Sequence, residues 1–340
     1  MTKRTILVLA LAVSCACAFA AGAADAKSKP IVMVWYPNES GEDMKGARDA
    51  FAALITEATG RPVDHKLTTD YTIAIEAIAN GKADLGFFGP QGYVEAHSKN
   101  AKVLPLVVNS GASGTLSDAV YYSWLNVRLG EEGAYKNGPA YSIDAVQGKR
   151  FSWVSTSSTS GFKVPSSGIV SYFKKKPEWA GLKADGLLEG GKDKFFSEVL
   201  FGNSHQGSAV NLLTGKADVA AFCDTCVANY VELVTGPENR PGAVYQIRKD
   251  TADPFTGLIG KKFVVIQSVP VLNSPFIYNA SLVSPETVAK LREVFMRDST
   301  TNNAMIFVPK GAAHKGMFKG GERFLTVEDG WFQPIRDLSK

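Results

Sequence analysis

One stretch of this chain occurs twice in similar form. Ile75-Glu76-Ala77-Ile78-Ala79-Asn80 runs into Gly81-Lys82-Ala83-Asp84-Leu85-Gly86-Phe87-Phe88. Much later, Ala209-Val210-Asn211-Leu212-Leu213-Thr214 runs into Gly215-Lys216-Ala217-Asp218-Val219-Ala220-Ala221-Phe222. Each copy reads as a helix ended by a glycine, a polar turn and a buried strand. The separation is too long for a solenoid of stacked repeats, so the pattern points to two similar α/β lobes in one chain. The plainer alternative is that Gly-Lys-Ala-Asp is a common helix-to-strand turn.

The rest of the sequence fits the same architecture. Ile31–Trp35 is a short apolar run suited to a strand buried on both faces, and Pro37-Asn38-Glu39-Ser40-Gly41 breaks it. Met44, Ala47, Phe51, Leu54, Ile55 and Ala58 then form one helical stripe that Gly60 and Pro62 stop. Tyr121–Val127, Lys149–Val154 and Phe263–Ile266 read as further strands, the last leading into Pro270 and Pro275. Alternating strands and helices indicate an α/β fold with parallel pairing. The segments near 115–125 and 255–275 are the natural crossings between lobes, and the C-terminal third is expected to return to the first lobe.

The N-terminus predicts the compartment. Lys3 and Arg4 precede the apolar run Ile6–Val13, and small residues follow, including Ala18-Phe19-Ala20 and Ala21-Gly22-Ala23. This is the pattern of a secretory signal peptide over 1–23, too short to span a bilayer. Cys15 and Cys17 leave a lipoprotein anchor as the alternative, although neither follows the usual Leu-x-small spacing. A periplasmic location follows. A hydrophobic content of 45% supports a real core. The formal charge is +4 and includes Lys3 and Arg4, so the exported chain is nearly neutral. Its one basic run, Lys174-Lys175-Lys176, precedes Pro177 and reads as a solvated helix end. Nucleic-acid binding is not expected, nor is a cofactor.

Two segments carry chemistry. Ser155-Thr156-Ser157-Ser158-Thr159-Ser160-Gly161 follows a strand and precedes a predicted helix. Its hydroxyls and the free N–H groups of a helix start make a site for an anion from neutral donors. It lacks the spacing of a phosphate-binding Walker loop, and an ordinary Ser/Thr-rich capping loop is the competing reading. The second segment is Cys223-Asp224-Thr225-Cys226, at the carboxyl end of the second echoed strand, where open α/β sheets place ligands. In an oxidising compartment Cys223 and Cys226 are expected to form a disulfide. The pair by itself supplies too few ligands for a metal, and a redox role lacks a thioredoxin-like context.

Taken together, these motifs resemble the periplasmic phosphonate/phosphate/phosphite-binding proteins of ABC importers, over nearly the whole exported chain. The resemblance rests on Pro37-Asn38-Glu39-Ser40, Asp70-Tyr71, Gly81 through Asp84 to Phe88-Gly89-Pro90 and Tyr93, and Ser158-Thr159-Ser160-Gly161-Phe162 with Pro165. Gly202-Asn203-Ser204-His205 and the closing Trp331-Phe332-Gln333-Pro334-Ile335-Arg336 also fit. It implies a two-lobed periplasmic binding fold of the second type with two hinge crossings. Lobe 1 is then 31–118 with 270–340, and lobe 2 is 119–269. Carried over by position, Tyr71 and Tyr121 contact the ligand, Ser158, Thr159 and Ser160 grip the oxyanion, and His205 donates from the second lobe. A polar-loop role for His205 and partial core burial for the tyrosines are the alternatives.

The chain also departs from the family pattern. Ser155-Thr156 stands where an Asp-Pro is usual, and Gln206 follows His205 where an acid is common. Members that recognise an amine-bearing phosphonate place carboxylates at positions matching Thr225 and Ser274; Asp224, beside Thr225, is a further candidate ligand-binding residue that could substitute for one of them. An amine desolvated without a carboxylate is costly, so phosphate, phosphite or a small alkyl phosphonate is expected. The expected function is a monomeric, non-enzymatic binding protein serving an ABC permease. An exported sensor, a thiol oxidoreductase at the cysteines and a phosphoryl hydrolase at the serine loop are the alternatives, and no general base is legible beside the serines.

Overall fold

The computed structural model describes residues 29–312 and 314–338. The segment 1–23, expected from sequence to be a signal peptide and carrying Cys15 and Cys17, lies outside the described residues. Two large sheets carry the molecule. The first has six strands, in the spatial order Phe324–Leu325, Val103–Asn109, Pro275–Asn279, Leu85–Phe87, Ile31–Trp35, Val63–Leu67. The second has seven: Val231–Thr235, Val244–Ile247, Lys262–Leu272, Val120–Arg128, Val219–Cys223, Arg150–Trp153, Glu198–Phe201. Parallel pairs join the strands that follow helices, and antiparallel pairs complete each sheet.

The echoed segments occupy equivalent places in the two sheets, which settles the choice between a repeated lobe and a recurring turn. Helix Tyr71–Ala79 leads to strand Leu85–Phe87, and helix His205–Leu213 leads to strand Val219–Cys223. Gly81 and Gly215 both take positive φ, 69° and 77°, the left-handed turn that a Cβ disfavours. The aspartate that follows does one job twice. Asp84 Oδ2 accepts from Val32 N at 2.8 Å, and Asp218 Oδ2 accepts from Arg150 N at 3.1 Å. Each carboxylate thus pins the start of the neighbouring parallel strand. Asp218 also binds the Arg150 guanidinium.

The helix Lys45–Thr59 buries Ala47, Phe51, Leu54, Ile55 and Ala58 as the stripe predicted, and ends on left-handed Gly60. Arg48 breaks the stripe: it is buried as well, and its guanidinium donates to the carbonyls of Glu39 and Gly41. These bonds hold the Pro37–Gly41 loop in place. Strand Lys262–Leu272 runs on through Pro270, which stands opposite Tyr122, where the sequence had suggested a break.

Among the described residues two segments pass between the sheets, Ser110–Ala119 and Asn273–Ser274. They are tied together: Asn273 N donates to Ala119 O at 3.0 Å and Asn273 Nδ2 to Asn109 O at 2.9 Å. The C-terminal helix Gln333–Asp337 spans both sheets' surroundings, with Ile335 packed among Tyr121, Val164 and Val271.

Candidate functional site

A cleft of about 260 Å³ lies between the sheets, a volume suited to a ligand of a few heavy atoms. All the residues singled out from sequence line it: Tyr71, Tyr121, Ser158, Thr159, Ser160, His205, Cys223, Asp224 and Cys226. The loop after strand Ile31–Trp35 adds Asn38 and Glu39, which sequence reasoning left unassigned.

Two helix starts face each other across the opening. Tyr71 is the first residue of its helix, behind Asp70, whose carboxylate caps Thr72 N and Ile73 N. His205 is the first residue of the echoed helix, capped by Ser204. Buried Asn38 joins them. Its Nδ2 donates to Tyr71 Oη at 2.7 Å, and its Oδ1 accepts from His205 N at 3.0 Å. Gln206 Nε2 donates to Asn38 O at 3.1 Å. The two walls of the cleft are therefore in direct contact, with the opening narrowed around one asparagine.

The hydroxyl loop takes an uncommon local form. Thr159–Lys163 is a π-helical turn that passes into helix Val164–Phe173, a geometry associated with functional sites. A Cβ on Gly161 would lie 2.3 Å from the Val154 side chain, so only glycine lets the turn sit down on the strand end. The three hydroxyls have separate duties. Ser158 Oγ caps the turn by accepting from Gly161 N at 3.1 Å. Thr159 Oγ1 accepts from Gln91 N at 2.8 Å, at the start of helix Pro90–Lys99, which packs on the other sheet. Ser160 Oγ is buried with no hydrogen-bond partner among the described residues.

The tautomer of His205 follows from its surroundings. Cys223 N donates to Nδ1 at 2.9 Å, so the ring proton of the neutral imidazole is on Nε2. That nitrogen stands 3.4 Å from Ser158 Oγ and faces the cleft. His205 is thus a donor there and does not act as a general base toward Ser158.

Burial shapes the remaining ionisable groups. It pushes the Asp224 carboxyl up to about 7, with the neighbouring Cys223 thiol adding to the rise and the Tyr122 N–H opposing it. Burial likewise holds Glu39 well above the usual carboxylate range, and Tyr36, Tyr71 and Tyr121 well above ordinary tyrosine. Glu39 Oε2 and Gln206 Oε1 also lack partners among the described residues. The cleft therefore presents neutral hydroxyls, a histidine N–H and carboxyls held toward their protonated form.

The disulfide expected between Cys223 and Cys226 is not formed; both thiols are free. Cys223 caps the short helix Asp224–Val227, and its Sγ accepts from Cys226 N at 3.3 Å. Burial opposes ionisation of Cys223, and the hydrogen bond from Cys226 together with the neighbouring His205 ring acts the other way and lowers the thiol below its ordinary range. The same contact with Cys223 pushes Cys226 up. The pair alone supplies too few ligands for a metal, but the fold adds a neighbour that the spacing does not show: one ring nitrogen of His205 and the two sulfurs all lie within 4.8 Å of one another.

The sequence profile of the family described as "ABC transporter, phosphonate, periplasmic substrate-binding protein" matches residues 33–320. The chain belongs to that family. It is 25% identical over 315 residues to the phosphate-import protein PhnD of Mycolicibacterium smegmatis, covering 90% of this chain and 81% of that one. Two solved structures share the two-lobed fold. One is a binding-protein component of an ABC phosphonate transporter from Pseudomonas aeruginosa, with a TM-score of 0.61 at 19% identity over 92% of this chain and 85% of that one. The other is PhnD1 of Prochlorococcus marinus in complex with methylphosphonate, with a TM-score of 0.62 at 15% identity over 91% and 97%. The family is one of transport binding proteins that work with a membrane permease. Among the described residues no helix is long and apolar enough to cross a membrane.

Proposed function

We propose that this protein captures a small phosphorus oxyanion (phosphate, phosphite or a short alkyl phosphonate) in the cleft between its lobes and presents it to an ABC permease. Export by segment 1–23 and action as a periplasmic monomer are part of the proposal. The observation that carries it is Ser160: a buried hydroxyl with no hydrogen bond of ordinary geometry among the described residues, at a helix start, in a cleft that the His205 ring also lines. A buried hydroxyl without a partner is costly, and an anionic oxygen would relieve that cost.

The lining favours a neutral tail. Thr225 and Ser274 are in the cleft wall, and neither offers an ammonium group a compensating negative charge. Asp224 and Glu39 are held toward protonation, so they serve better as donors to an anion than as partners for an amine. A calorimetric screen tests the reading. Phosphate, phosphite and methylphosphonate should bind to the metal-free protein, 2-aminoethylphosphonate more weakly than its uncharged-tail analogue, and sulfate weakly. Preference for the amine, or no heat from any oxyanion, would overturn it.

A further inference from the structure

Capture of an anion leaves the two thiols without a task and uses one face of His205. Cys223 and His205 are buried, Cys226 is half-buried, and all three border the cleft. Two sulfurs and one imidazole form a donor set that suits Zn²⁺ and similar soft or borderline cations, whereas Ca²⁺ and Mg²⁺ require oxygen. Tetrahedral Zn–S and Zn–N bonds put ligand atoms about 3.5–3.8 Å apart. Atoms already within 4.8 Å reach that spacing by small side-chain rotations.

The surroundings of the three ligands match what such a site needs. Cys226 N donates to Cys223 Sγ at 3.3 Å, a bond that supports a thiolate. His205 carries its proton on Nε2, 3.4 Å from Ser158 Oγ, and turns the Nδ1 lone pair toward Cys223. A ring bound to metal through Nδ1 has the same proton placement, with the far N–H held by an oxygen. A cation would replace the Cys223 amide at Nδ1 and leave the ring proton where it is.

We propose that His205, Cys223 and Cys226 form a three-ligand site for a cation of the Zn²⁺ class, with its fourth position open to the cleft. On the reading given above, which this step depends on only for the fourth ligand, an oxygen of the captured anion enters there.

Co²⁺ is the probe. Added to the reduced full-length protein, one equivalent should give the thiolate charge-transfer and visible bands of a tetrahedral sulfur-ligated ion, and one equivalent of Zn²⁺ should remove them. Cys226→Ser should weaken Zn²⁺ binding at least tenfold, and so should His205→Gln, a second variant should the first fail to fold. Circular dichroism checks the fold of each. Methylphosphonate added to the Co²⁺-loaded protein should shift the visible bands. Absence of the bands, or Zn²⁺ affinity unchanged in both variants, overturns the site. If the bands are absent while the metal-free protein still binds methylphosphonate, the metal site fails and anion capture stands. Bands that form but do not shift with methylphosphonate uphold the three ligands and refute entry of the anion at the fourth position.

Discussion

Replacing Asn38 with alanine tests whether the contact between the two cleft walls is what holds a ligand. In the closed form Asn38 Oδ1 receives the His205 N–H at 3.0 Å, and nothing in alanine can. His205 is 3% exposed, so that N–H would be left buried and unsatisfied, at a cost of about 1–3 kcal/mol. When the walls part, water reaches the same N–H and the cost disappears. The penalty at the His205 N–H therefore falls on closure, while loss of the Asn38–Tyr71 bond is a separate and smaller cost within the first lobe, read in the ligand-free protein. Because a ligand held from both sides needs the closed form, affinity should fall by roughly 5- to 150-fold. The bond from the Gln206 side-chain Nε2 to the Asn38 carbonyl survives the substitution, so closure should be weakened and still possible. Calorimetry with methylphosphonate gives the affinity, and stopped-flow should place the loss in faster release. Thermal unfolding of the ligand-free protein is the control. An affinity loss below twofold, or a loss matched by equal destabilisation of the ligand-free protein, would refute the reasoning.

Further tests address the other parts of the molecule. Ser160→Ala should weaken anion binding by about 10- to 150-fold, the worth of one hydrogen bond to a charged group, with almost no change in unfolding temperature, because Ser160 Oγ has no partner to lose; unchanged affinity would remove it from the site. Asp218→Ala should destabilise the second lobe by about 1.5–3 kcal/mol, read by chemical denaturation, since Arg150 loses its carboxylate; a change under half of that would show that the strand start holds without it. Glu322 is raised above the ordinary range by burial, and its Oε2 accepts from Asn109 Nδ2 at 2.8 Å. A carboxyl raised in the folded state contributes stability below its unfolded pKa, and that contribution is lost as pH rises through the folded value. Glu322→Gln should flatten this part of the stability curve, and an identical curve in both proteins would exclude Glu322 as a source of it.

The parts of this structure that were legible in the sequence are those whose signal is local. A glycine in the left-handed turn followed by an aspartate needs a short window to recognise, and both copies do the same work in their sheets. The hydroxyl loop was readable for the same reason, although its π-helical turn was not. What escaped notice depends on contacts between distant segments. Asn38 matters because residues 71 and 205 converge on it, and Arg48 breaks an apolar stripe to brace the loop that carries Asn38. The cysteines misled because their spacing was read through the compartment alone. At the start of a helix that spacing turns the Cys226 N–H onto the Cys223 sulfur, and the fold brings His205 beside both. The buried arginine in an otherwise apolar stripe was the one visible sign that could have pointed to the Pro37–Gly41 loop.

The paired crossings have a mechanical consequence. One is the two-residue link Asn273–Ser274, and Asn273 binds it to the ends of the other at Asn109 and Ala119. Two short links fastened side by side act as a door hinge, permitting rotation about one line and resisting both twist and slide. Opening is then a single coordinate. Residues far from that line sweep the widest arc, so a small parting around Asn38 becomes a larger displacement at the outer rims. A membrane partner that gauges the distance between those rims would sense occupancy without reaching the ligand.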